Sequence, residues 1–245
     1  MRVRRAPWQT FPDVLIATVE EKQVKTFSEY AAAKSGDGFA AYHLVSEFVR
    51  DEFLAKLRRM VFSPARAASG RKLGNLRVAA VHAEEATGRN QIAQALSSLI
   101  AAELSLRRES DIVQSNVVSH TGSDGYTRLA RQATFEGKIV PGAEYLLVDD
   151  FVGQGGTLAN FRSHVELHGG HAVGAVVLTG KPYSAKIRLT AGTLRLLRTN
   201  HGTSLESWWI NHFGFDFSCL TESEARYLAK SPDAFTIRNK VLAAG

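Results

Sequence analysis

The chain has 245 residues, 44% hydrophobic and 22% charged, with 20 glycines and six prolines. This composition excludes collagen-like, low-complexity and wholly disordered chains and suits one large domain or one core with an appendage. Thirty Lys and Arg against 24 Asp and Glu give a formal net charge of +6, which suits a polyanionic ligand, either a phosphorylated small molecule or nucleic acid.

In chain order, residues 1–70 read as helical. Phe27 to Lys34 form a short helix stopped by Gly36, with Asp37 placed to cap the next. Ala41, Val45, Val49, Phe53, Leu57 and Met60 then recur every three or four residues, the apolar stripe of one packing helix of about six turns. Pro64 ends it, and Ser69 to Lys72 read as a linker. Beyond residue 75 strands and helices alternate: a strand over Leu76–Val81, a helix carrying Ile92, Leu96, Leu99, Ile100 and Leu104, and a weak strand at Ile112–Val113. A polar stretch from Gln114 to Lys138 leads to the clearest strand, Tyr145–Val148. A helix over Thr157–Leu167 and a strand over Ala172–Leu178 follow. Such alternation implies a parallel sheet covered on both faces. Toward the C-terminus Thr190 and Ser204 are candidate caps, Thr221 to Glu224 has capping-box spacing, and Ser231-Pro232 reads as a further helix start.

The segment Tyr145-Leu-Leu-Val-Asp-Asp-Phe-Val-Gly-Gln-Gly-Gly-Thr157 carries the chemistry. Glycines let several backbone N–H groups face one anion, the following helix adds its positive N-terminus, and Thr157 adds a hydroxyl donor. Asp149 and Asp150 stand at the carboxyl end of the strand, where open α/β sheets bind ligands. Carboxylates there repel a phosphate but accept hydrogen bonds from ribose hydroxyls, so a sugar phosphate satisfies both halves. A Walker-type loop needs a lysine before Thr157, and the dinucleotide fingerprint needs a different glycine spacing.

This strand, acid pair and Gly-rich loop resemble the phosphoribosyl diphosphate (PRPP) motif of type I phosphoribosyltransferases over roughly residues 75–180. The Asp-Asp-Phe form is similar to xanthine and purine enzymes and to purine-repressor proteins of the same fold. The resemblance implies a central parallel sheet flanked by helices, with a helical N-terminal addition over 1–70 and a core with a C-terminal hood over 71–245. It implies that Asp149 and Asp150 hold the ribose hydroxyls and that Gly153, Gln154, Gly155, Gly156 and Thr157 wrap the 5′-phosphate. Gln154 replaces a threonine common in the family. Gly153 stands where hypoxanthine-guanine enzymes place an acid, leaving that role empty.

Thr87 to Ala93 looks like the pyrophosphate-binding stretch of competence-type homologues, with Arg89 as a bidentate donor to the diphosphate. Asn90 reads equally as a helix cap. Ser119 to Lys138 occupies the place of the mobile hood loop, from which Arg128 and Arg131 reach the leaving pyrophosphate and which excludes water. Lys181 stands where purine enzymes place a donor to a 6-oxo group. Trp208, Trp209 and Phe213 read as a base stack or, more simply, as core. His164 and His168, at i and i+4, suit zinc, but lack a properly placed glutamate.

The implied activity is transfer of ribose 5-phosphate from PRPP to a nitrogen base, with a 6-oxopurine as candidate acceptor and Mg²⁺ bridged through PRPP rather than held by an assigned protein ligand. The alternative is a non-catalytic PRPP-sensing regulator or DNA-processing accessory of the same fold. Nucleic acid is admitted but not favoured as a partner, and a homodimer is expected. No run of about 18 apolar residues or secretory signal is apparent, so a cytoplasmic protein is expected.

Overall fold

In the computed structural model, residues 4–63, 73–85, 88–116 and 124–245 are described. The proposed linker at residues 69–72, together with Pro64, lies outside them. The elements run β1 (Leu15–Thr18), α1 (Glu21–Thr26), α2 (Tyr30–Ser35), α3 (Gly38–Phe48), α4 (Asp51–Val61), β2 (Leu76–Ala80), β3 (Glu84–Glu85) and β4 (Gly88–Arg89). There follow α5 (Ile92–Leu104), β5 (Arg107–Glu109), β6 (Val113–Gln114), α6 (Gly125–Ala130), β7 (Phe135–Glu136), β8 (Glu144–Val152), α7 (Gly156–Leu167) and β9 (His171–Gly180). The C-terminal region holds α8 (Ala191–Phe213), α9 (Glu222–Ala229) and α10 (Ala234–Ala244).

Five strands form one sheet in the order β1-β9-β8-β2-β5, every pair parallel. Parallel pairing needs crossovers, and α5 and α7 supply them after β2 and β8. Residues 145–148 explain why the sheet needs cover on both sides. Leu146 and Val148 join a cluster with α3, α4 and α5, whereas Tyr145 and Leu147 face Leu158, Phe161 and Val165 of α7. The expected α/β architecture, a central parallel sheet flanked by helices, is what the chain adopts. Two short antiparallel pairs, β3 with β4 and β6 with β7, lie outside the main sheet.

The N-terminal region differs from the reading of an all-helical extension. Leu15–Thr18 pairs with β9 as an edge strand. Leu44, Leu57 and Val61 share one apolar cluster with the sheet residues Val78, Val148 and Val176. Residue 70 therefore marks no packing boundary between an appendage and the sheet. The single long helix is also two. Val49 and Arg50 are extended, with ψ of 107° and 158°. The bend keeps Ala41, Val45, Phe53 and Leu57 all buried in the apolar cluster that includes the sheet. Asp37 caps α3 by accepting from the N–H groups of Phe39 and Ala40.

At the C-terminus α6, α8, α9 and α10 build a separate apolar cluster around Trp209, Phe217 and Leu228. Thr190 caps α8 and Thr221 forms the capping box with Glu224, as their spacing indicates. Ser204 lies inside α8, just after a kink at Gly202, whose φ is 70°. The last helix is capped by Asp233, which accepts from Thr236 N–H, rather than by Ser231; a carboxylate three residues before that N–H reaches it and Ser231 does not.

Candidate functional site

The parallel sheet presents Asp149 and Asp150 at the carboxyl end of β8, and a few residues later the chain enters α7. Gly155 adopts φ +80°, the left-handed conformation in which glycine is least strained, and turns the backbone into the helix. No side chain caps α7, so the N–H groups of its first turn, which have no intrahelical partners, face the loop with the positive end of the helix dipole. Gly153 to Thr157, Asp149 and Asp150 all line a cavity of about 230 Å³. The sugar-phosphate constellation read from the sequence is thus gathered on one concave surface.

The two carboxyls are not equivalent. Asp149 is 7% exposed, and burial, reinforced by the adjacent Asp150 charge, pushes its pKa well above the usual carboxylate range. Burial would push Asp150 upward too, but the Lys34 ammonium and hydrogen bonds from Asn90 and Lys34 outweigh it and hold Asp150 below its usual value. Lys34 Nζ lies 3.1 Å and Asn90 Nδ2 2.8 Å from Asp150 Oδ2. Asp149 Oδ1 accepts from the Asp150 N–H at 2.8 Å. One acid of the pair therefore keeps its charge while the other resists ionisation, as two carboxyls in one site require.

Of the four arginine and lysine residues assigned to the site, one reaches this cavity. Arg128 lines it, and its Nη1 lies 2.7 Å from where a Cβ at position 153 would sit. A side chain at position 153 would therefore have to displace the end of the Arg128 side chain. Arg131 is turned away, donating from Nε to the Ala244 carbonyl at 2.9 Å, because it follows α6 on the side packed against α10. Arg89 is exposed in the antiparallel β3–β4 pair and does not line this cavity, and Thr87 lies outside the described residues. Lys181 pairs with Glu21 at 2.6 Å and lines an adjoining groove instead. Residues 119–123 of the hood stretch also fall outside the described residues.

Four contributors had little or no signal in the sequence. Lys34 arrives from α2, 116 residues before the aspartate it meets. Asn90 does cap α5, accepting from Ile92 N–H at 3.1 Å, and its amide nitrogen serves Asp150 at the same time. Arg5 and Glu224 form a buried ion pair at 2.5 Å beside the loop and both line the cavity. Glu224 Oε1 comes within 2.7 Å of a Cβ built at Gly156, so Gly156 is needed for that approach. Thr221 Oγ1 donates to the Gln154 carbonyl at 2.6 Å and ties the loop to α9.

His164 and His168 are engaged by the backbone carbonyls of Gly137 and His164, and among the described residues no group of three or more His, Cys, Asp or Glu can hold a metal ion. Trp209 is fully buried in the C-terminal cluster with Phe213, and Trp208 packs against that cluster, away from the cavity. No helix among the described residues is long and apolar enough to cross a membrane.

No family model matches the chain. It is 33% identical over 243 residues to protein TraN of Escherichia coli, covering 99% of this chain and 52% of that protein. It is 36% identical over 165 residues to an uncharacterized protein of Haemophilus influenzae, covering 66% of this chain and 34% of that one. The chain therefore spans about half or less of the curated relatives it matches. Among solved structures it is similar to the adenine phosphoribosyltransferase of Leishmania donovani, at 18% identity over 57% of each chain with a TM-score of 0.34.

Proposed function

We propose that the chain binds PRPP in this cavity and transfers its ribose 5-phosphate to a nitrogen base, releasing pyrophosphate. The observation that carries the reading is one cavity wall holding both an uncapped helix N-terminus behind a left-handed glycine and a pair of unequal carboxyls. In this reading the N–H groups of residues 154–157 bind the 5′-phosphate. Asp150, ionised and oriented by Lys34 and Asn90, accepts from the ribose hydroxyls. Asp149 accepts from the Asp150 N–H and fixes the strand end. Arg128 faces the departing diphosphate and stabilises its growing charge. In the reaction the bond from the anomeric carbon to the diphosphate oxygen breaks, the bond to the base nitrogen forms, and that nitrogen's proton passes to the departing diphosphate. Catalysis of such a displacement rests on positioning and on charge stabilisation.

The donor set fits Mg²⁺. Asp150, the acid of the pair that keeps its charge, offers one carboxylate beside the loop, which suits an ion held mainly by ligand phosphates and water, as Mg²⁺ prefers. When bound, it would neutralise part of the diphosphate charge.

Calorimetry with PRPP and Mg²⁺ on the wild type and on Asp150→Asn tests the binding half. Hydrogen bonds to a charged acceptor contribute about 1.5–3 kcal/mol, so the variant should bind roughly 10- to 150-fold more weakly. Equal affinity would overturn the assignment. Isotope transfer from PRPP to a panel of bases tests the chemistry. The second reading, a non-catalytic PRPP sensor, is favoured by glycine at position 153, which gives the loop no acid there to take a proton from a base. Saturable PRPP binding without product on any base would select it.

A further inference from the structure

Beside the cavity lies a second groove of about 510 Å³ that shares Lys25, Arg128, Phe151, Gly153 and Gln154 with it. Its remaining wall comes from α1, the turn at Pro182–Ser184 and α9. Five basic residues line it, Lys25, Arg128, Lys181, Arg226 and Lys230, against a single acid, Glu21. Lys25 and Lys181 each lie 2.6 Å from the carboxylate of Glu21, and one negative charge cannot neutralise both. Among the described residues, Arg50–Glu47, Arg58–Glu103 and Arg198–Glu206 are exposed pairs of one arginine with one acid. The groove is thus a local concentration of positive charge with low-dielectric walls, which focuses the field on a polyanion.

Aromatic rings stand among these cations. Tyr183 is 61% exposed, with the Arg226 guanidinium 5.7 Å from its ring centre. Lys25 Nζ lies 4.9 Å from the centre of the Phe151 ring. One exposed ring, Tyr183, and one half-buried ring, Phe151, stand among cations along a concave track, which offers stacking to an unpaired base and ion pairing to the phosphates beside it. A duplex hides its base faces and gains only the second of these.

We propose that this groove binds a segment of single-stranded nucleic acid, with phosphates against Lys25, Lys181, Arg226 and Lys230 and a base stacked on Tyr183. The proposal goes beyond PRPP binding and stands whether or not the neighbouring cavity takes that ligand.

Fluorescence anisotropy of the full chain with labelled oligothymidylate of about 12 nucleotides, within the usual range of such sites, tests it. The single strand should bind more tightly than a duplex of equal length. Four phosphate contacts predict a slope of log K against log salt of about −3. Tyr183→Ala should weaken binding roughly 5- to 150-fold with the slope unchanged, and Tyr183→Phe should restore it. Lys230→Gln should reduce the slope by about 0.7, while Arg58→Gln, on a distant helix, should change nothing. Equal affinity for duplex and single strand, insensitivity to Tyr183→Ala, or equally effective competition by polyglutamate would overturn it, the last pointing to an acidic protein partner. Tyr183 and Lys230 lie outside the first cavity, so PRPP calorimetry on the same variants separates failure here from failure of the PRPP reading.

Discussion

Arg5, in the segment preceding β1, reaches the candidate site, and its removal has a calculable cost. Its side chain is 1% exposed and that of its partner Glu224 is 2% exposed. Its Nη1 and Nη2 reach Glu224 at 2.5 and 2.9 Å, and its Nε reaches Asn160 Oδ1 of α7 at 2.6 Å. Arg5→Met would fill much of the volume but strand a buried carboxylate, at a cost of about 3–5 kcal/mol. For a chain of this size each kcal/mol lowers Tm by about 2–4 °C, so a drop of roughly 6–20 °C is expected. Glu224→Gln removes the charge but retains the capping box, since glutamine at the third helical position reaches back to the Thr221 N–H as glutamate does. The double variant Arg5→Met/Glu224→Gln should therefore be more stable than Arg5→Met alone. Urea unfolding of wild type, both single variants and the double variant gives the coupling directly. A loss under about 1 kcal/mol for Arg5→Met, or a double variant as unstable as the sum of the singles, would refute the reasoning.

Two further perturbations probe the sheet and the acid pair. Leu57→Ala, at a fully buried position packed with the sheet, should cost about 2–5 kcal/mol and speed hydrogen exchange in β8; unchanged β8 protection would mean that the N-terminal helices fold apart from the sheet. Asp149→Asn removes a carboxyl whose folded pKa lies well above its ordinary 3.8. In the wild type the stability tied to its protonated form is complete below that ordinary value and is lost as pH rises through the raised folded value. The stability gap in favour of the uncharged variant should therefore open above about pH 4 and level off past the folded pKa. A gap independent of pH between about 4 and 8 would contradict the burial of that group.

The reach of the sequence differs from element to element. Alternating apolar runs made the parallel sheet legible, because a strand covered on both faces must be apolar at consecutive positions, as Tyr145 to Val148 are. Asp37, Thr190 and the Thr221–Glu224 box were legible because capping is a local interaction across two or three residues. The edge strand Leu15–Thr18 was not: four partly buried residues carry too short a pattern. Nor was the bend at Val49–Arg50, since an apolar stripe with helical spacing reads the same whether one helix or two carry it.

The loop from Asp149 to Thr157 was determined by local chemistry, because strand, acids, glycines and helix start follow one another within a single covalent stretch. Its surroundings were decided only in three dimensions. Lys34, Asn90, Arg5 and Glu224 come to the cavity from elements distant in the chain, whereas Arg131 and Lys181, each plausible by position, are drawn off by Ala244 and by Glu21, and Arg89 lies in the β3–β4 pair outside the cavity lining. A side chain's charge is written in the sequence; the direction in which it points is set by the packing of the helix or hairpin that carries it.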